Sequence, residues 1–465
     1  MNDLPFGFSA SGNDDDGRDK DQNSGQNPGA AGGFDPAMLG QLFNQLGSMF
    51  SGMGAGAGPG SAPGAVNYEV AASLARQQIG DFTPMLEKEQ SVVADAVRLA
   101  EVWLDEQTTL PAGVTTTAAW TPVDWLENTM PTWRTLCDPV AEQMSKSIDA
   151  GMPEEARAQA GPMMGIISQL SGSMFGSQLG QGLGTLAKDV LTSTDIGLPL
   201  APEHTGVLLP QAIAKFSEGL DLPAQEIIVF LAAREAAHIR LFTHVPWLKQ
   251  RLLATVEEYA RGIRIDFSGM TDLTQGIDPQ ELFSNPEKME ELMGSAASFE
   301  PQTTPEQQAA LARLETILAL IEGWVETVVT DALSDRIPST PALTETMRRR
   351  RATGGPAEQA FATLIGLDLR PRKLREAADL WRRLAEASDI TVRDGVWGHP
   401  DLLPDSEDID SPAGFIDGVI GGGTSSFDDP MAELERTIAE EEKRRSEGTG
   451  EAGTGDSDQG DDQQP

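Results

Sequence analysis

Arg234-Glu235-Ala236-Ala237-His238 lies one substitution away from the pattern H-E-x-x-H. That pattern does chemistry because helical side chains four apart share a face. Two imidazoles there hold Zn²⁺, and the glutamate after the first activates a metal-bound water as general base. Here Arg234 and His238 take the two ligand positions and Glu235 the base position. The spacing survives, and one ligand does not. A guanidinium cannot deprotonate to donate a lone pair, and beside a dication it is repulsive. The expectation is a degenerate site in which zinc is absent or weakly bound. Arg234 would stand where the metal stood, paired with Glu235, Glu258 or Glu322.

A rival arrangement keeps the metal, with Glu235 as base and His238 together with Glu258 or Glu322 as ligands. Glu257 and Glu258 in E-E-Y-A-R-G fall on the next helix, and Glu322 lies within the apolar run L-I-E-G-W-V-E. Glutamates of this kind are ordinarily solvated. His244 follows His238 at the interval of a longer signature that needs a glycine to turn the chain, but Leu241 occupies that position. His244 therefore reads as a helix C-terminal residue favoured by the dipole. His204 in P-E-H-T and His399 in G-H-P-D read as loop residues, either of which could substitute for the missing ligand.

The elements that must position these residues are helical. Asp221 and Pro223 start the signature helix, expected over Ala224–Phe242, and Val245 before Pro246 ends it. Amphipathic periodicity predicts helices over Val66–Ile79, Thr83–Trp103, Pro122–Glu127, Thr132–Ser147, Gln211–Leu220 and Trp247–Gly262. It continues over Glu306–Leu333, Ala342–Arg351, Pro356–Ile365 and Pro371–Ser388. Glycines at 172, 176, 180 and 184 share one face, where another backbone can approach closely. T-G-V-L-L, ended by Pro210, is the best strand candidate.

The net charge of −38 disfavours nucleic acid and anionic lipid, both of which are bound through Lys and Arg. The residues after 400 alone hold nineteen acids against four bases. Cys137 is the only cysteine, which excludes an internal disulfide and suits a reducing, cytoplasmic setting. The uncharged run 158–187 carries too many Ser and Gln residues for a membrane span, and the opening residues lack a secretory pattern. Ten bases cluster between Arg348 and Arg383. They read as solvated helix faces paired with acids, or as a dock for an acidic partner or tail. Residues 36–50 place Leu39, Leu42, Phe43, Leu46, Met49 and Phe50 on one helical face. That short helix could rest on its own domain or dock on a protein or peptide partner.

Several segments agree, in order, with one family. R-E-A-A-H-I-R-L-F-T-H-V-P-W-L, V-E-E-Y-A-R-G-I, I-E-G-W-V-E, R-R-R-R-A-T-G-G-P-A-E-Q-A-F and H-P-D-L-L-P resemble the zincin-like metallopeptidases of actinobacterial type, over roughly Val66 to Pro404. The resemblance implies a mainly helical zincin-like domain with little β structure and its active-site helix at Ala224–Phe242. It also implies that Glu235, His238 and one downstream glutamate match the base and metal ligands of active relatives. The expected organisation is a disordered Gly/Asp-rich leader over 1–65, the helical domain over 66–404 and an acidic, mostly disordered tail over 405–465. The expected function is that of a weakly catalytic or non-catalytic binding or regulatory protein. The alternative is an active zinc-dependent peptidase or hydrolase.

Overall fold

The computed structural model describes residues 65–151, 161–263, 304–352 and 373–421. Most are helical, and the strands among them are two of four residues each. The expected helices at 36–50 and 356–365 lie outside the described residues. In chain order the elements are α1 (Tyr68–Ile79), α2 (Glu87–Leu104), β1 (Thr116–Ala119), α3 (Pro122–Gly151), α4 (Gly161–Asp189) and β2 (Thr205–Leu208). There follow α5 (Pro210–Ser217), α6 (Ala224–His244), α7 (Pro246–Arg261), α8 (Pro305–Leu333), α9 (Thr340–Ala352) and α10 (Leu374–Ala387). Three short helices close the series: α11 (Ile390–Gly395), α12 (Ser406–Asp410) and α13 (Pro412–Ile420).

Local chemistry sets the boundaries. The Asn67 side chain caps α1 by accepting from Val70 N at 3.1 Å. Thr304 and Gln307 form a reciprocal capping box on α8, with Pro305 in the first turn. Val245 alone separates α6 from Pro246, which starts α7. The predicted break before Thr132 does not occur: α3 runs through Pro131 and Pro139 as one helix. Proline costs a helix hydrogen bond, yet Trp125, Trp133 and Leu136 are buried on this helix, and their packing holds it together.

The glycine face of α4 meets the backbone of α1. A β-carbon at Gly180 would sit 2.6 Å from the Ala71 carbonyl oxygen, and Gly176 and Gly184 are similarly crowded. Backbone contact of that kind explains the four-residue glycine spacing. T-G-V-L is indeed a strand, and it pairs in parallel with β1, a strand that no local pattern announces. The register joins Thr116 to Thr205 and Ala119 to Leu208.

α6 is central. From Ile227 to Leu241 only Ile228 escapes full burial, as a helix packed on every side requires. It packs against α2, α8 and β2, while α8 also packs on α7 and α10. The centre of the fold therefore receives Arg234, Glu235, His238 and Arg240 from one helix, and each must find partners there. Arg240 finds Glu101 and Asp105, the latter at 2.8 Å.

Candidate functional site

Arg234 and His238 stand one turn apart on α6, and both face the middle of α8. Arg234 Nη2 donates to Glu322 Oε2 at 2.7 Å, and His238 Nε2 lies 3.0 Å from Glu322 Oε1. His238 Nδ1 meets the Arg234 carbonyl at 2.8 Å. A carbonyl can only accept, so Nδ1 carries a proton and Nε2 is the nitrogen turned to the carboxylate. This is the orientation that a metal-ligating histidine takes, but what Nε2 meets is Glu322. The three side chains are 7%, 2% and 3% exposed for Arg234, His238 and Glu322.

A second cation arrives from α9. Arg351 Nη1 reaches Glu322 Oε1 at 2.6 Å, and its neighbour Arg350 pairs with Asp195 at 2.7 Å. Arg351 also donates to the Asp195 carbonyl at 3.1 Å. Burial alone would raise the pKa of Glu322. Arg351, His238 and Arg234 outweigh it and hold the carboxyl far below the usual carboxylate range. Asp195 is likewise held low, with Arg350 and Arg351 prevailing over burial. Burial lowers the value of Arg234, but Glu322 opposes the shift, and a guanidinium starts so high that it keeps its charge.

Glu235 occupies the adjoining face of α6 and has a different set of partners. Its oxygens accept from Ser193 Oγ, from Thr194 N at 3.1 Å and Oγ1 at 2.5 Å, and from Val207 N at 3.0 Å. Four neutral donors, from the segment after α4 and from β2, surround a side chain with no exposed surface.

The family described as zincin-like metallopeptidase matches residues 66–416 of the chain. The chain belongs to that family. A solved structure from Chloroflexus aurantiacus, described as a candidate hydrolase with a novel fold, shares this fold at 20% identity with a TM-score of 0.54. The match covers 76% of this chain and 97% of that one. No curated protein matches.

Within this zincin-like frame, residues 234, 235 and 238 sit on the signature helix and Glu322 faces it. The other candidates are elsewhere. Glu258 is half exposed on α7 and pairs with Arg313 at 2.7 Å, and Glu257 pairs with Arg261. His244 is exposed at the end of α6, and His399 is an exposed turn residue beside Asp401. His204 is exposed at the start of β2, its Nδ1 bonded to the Gly113 carbonyl at 3.1 Å. Burial pushes the Cys137 thiol up to about 12, so it is no nucleophile.

The residues present do not fit a zinc ion. The carboxylate facing His238 already carries two guanidiniums, and among the described residues no cluster of three His, Cys, Asp or Glu could hold a metal. A dication about 4 Å from a guanidinium would meet roughly 8 kcal/mol of repulsion at an effective dielectric near 20.

Sequence reasoning missed Arg351, Asp195, Ser193 and Thr194. Arg348 to Arg351 read as a solvated run, and Arg349 does pair with Glu345 on the surface. The same helix turns Arg350 and Arg351 inward, and only the periodicity of α9 relative to its buried Leu343 and Met347 could have hinted at it.

Proposed function

We propose that this zincin-like protein works without a catalytic metal, as a binding or regulatory scaffold for a protein or peptide partner. The observation that carries this reading is the Glu322 carboxylate, held by Arg234 at 2.7 Å and by Arg351 at 2.6 Å. The charges of the centre are thus balanced by side chains. Glu235 is a clamp between α6, the segment after α4 and β2, because a carboxylate engaged by four donors has no lone pair free to take a proton from water. The reading also places the protein in the cytoplasm, consistent with its single cysteine.

The family favours a second reading, an active zinc-dependent peptidase or hydrolase with Glu235 as base and His238 and Glu322 as ligands. Metal analysis of purified protein separates the two. The scaffold reading expects less than stoichiometric zinc in the natural chain, and new zinc binding in the double variant Arg234→His, Arg351→Ala. Stoichiometric zinc that disappears in Glu322→Ala, with peptidase activity abolished by Glu235→Gln, would establish the enzyme instead.

A further inference from the structure

The Glu235 face of α6 borders a cavity of about 290 Å³. Ser193 and Thr194, which bond Glu235, also line it, and Ile239, Phe242 and Thr243 form the wall contributed by α6. Positions 235, 239 and 242 share one helical face, so the clamp residue lies in line with the cavity wall. The Arg234 face, by contrast, is filled by Glu322 and Arg351.

The lining combines an apolar surface with a few polar groups, as small-molecule sites do. The volume is just under the ~300 Å³ at which pockets for drug-sized ligands begin, which suits a ligand about the size of one amino-acid residue. Glu203, His204, Thr205, Lys249 and Gln250 complete the polar part of the lining. Among the described residues, Lys249 Nζ has only a loose ion pair, 3.9 Å from an oxygen of the largely exposed Glu203, and a surface pair of that kind is readily exchanged. His204 is held at φ 60, the left-handed region, in which residues other than glycine are uncommon and which recurs at ligand sites. Its Nδ1 is fixed on the Gly113 carbonyl, which leaves Nε2 for another partner. An amine would find no acceptor at Glu235, since four donors already occupy its oxygens. The charge of Glu235 would also keep a ligand anion away from that end of the cavity and toward Lys249.

We infer that this cavity binds a small carboxylate carrying an apolar side chain. The apolar group packs on Ile239 and Phe242, and the carboxylate replaces Glu203 on Lys249. An N-acylated amino acid and the C-terminus of a peptide share this chemistry. The inference goes beyond the scaffold reading and does not depend on it, because the cavity borders the other face of α6.

Calorimetric titration of the full chain with N-acetyl-L-leucine, with its amide and with an acetylated pentapeptide ending in leucine provides the test. The expected result is saturable binding of at least one acid, at least tenfold weaker binding of the amide, and about a tenfold loss in Lys249→Gln. That variant changes a partly exposed side chain and leaves the fold intact, while Thr243→Trp fills the cavity and abolishes binding. Tighter binding of the pentapeptide identifies a peptide terminus as the ligand, and tighter binding of acetyl-leucine identifies a free acyl amino acid. No saturable binding of either acid, equal affinity for acid and amide, or an unchanged affinity in Lys249→Gln would overturn the inference.

Discussion

Two adjoining faces of one helix bury a carboxylate interaction in opposite ways. On the Arg234 face, Glu322 is compensated by the full charges of two guanidiniums and also meets an imidazole nitrogen. On the Glu235 face, the carboxylate is compensated by hydroxyls and backbone N–H groups alone. The first solution fills its space with long side chains, whereas the second uses short donors and leaves a cavity beside it. On the proposed scaffold reading, the charged face is filled by its own side chains, while the neutral face borders the cavity.

Removing the shared anion strains this contrast most. Glu322→Ala leaves Arg234 and Arg351 buried without their common partner, and breaking a buried ion pair costs about 3–5 kcal/mol. Urea unfolding should show that loss, and a change below about 1 kcal/mol would mean that the arginines re-pair or reach water.

Acid should act on the same group. The folded value of Glu322 lies below its ordinary 4.5 and that of Asp195 below its ordinary 3.8. The unfolded chain therefore binds protons first, so stability is fully present above those ordinary values and falls as pH drops below them. Unfolding midpoints measured between pH 6 and pH 3 should decline in the natural chain and decline less steeply in Glu322→Gln. Parallel curves would show that Glu322 does not carry the acid response.

On the neutral face, Glu235→Gln sets an amide NH₂ against two of the four donors and should cost about 1.5–3 kcal/mol, the range for hydrogen bonds to charged groups. A base held free for catalysis would tolerate the change with little loss of stability, so the unfolding midpoint of this variant distinguishes a clamp from a base. The smallest effect belongs to Glu258→Ala. That residue shares an exposed pair with Arg313, and its loss should cost about 0–1 kcal/mol without altering the acid response. A large effect there would mean that α7 contributes to the centre after all.

Much of this was legible from local pattern. The ends of α6, the T-G-V-L strand and the close approach of the α4 glycines all follow from features that act within a few residues: a proline, an apolar run, a four-residue spacing. β1 was not legible, because T-T-A-A lacks the alternation that marks a half-buried strand and gains its pairing only from β2. The continuity of α3 was hidden by Pro131, whose local cost is overridden by the packing of the tryptophans on either side. Arg351 was hidden because a run of four arginines looks alike from every side until the helix is docked.

By itself the sequence determined that position 234 carries a cation which cannot ligate, and that His238 and Glu235 project from the same helix at fixed angles, since helical geometry is set by neighbours in the chain. It could not decide which of three glutamates answers Arg234. Glu322 lies 88 residues away, and its approach depends on how α8 packs across α6, a matter of complementary side-chain volume along both helices. Only the tertiary structure brought Glu322 inside, left Glu258 outside and added Arg351 as a second cation from a helix that the spacing of the signature never mentions.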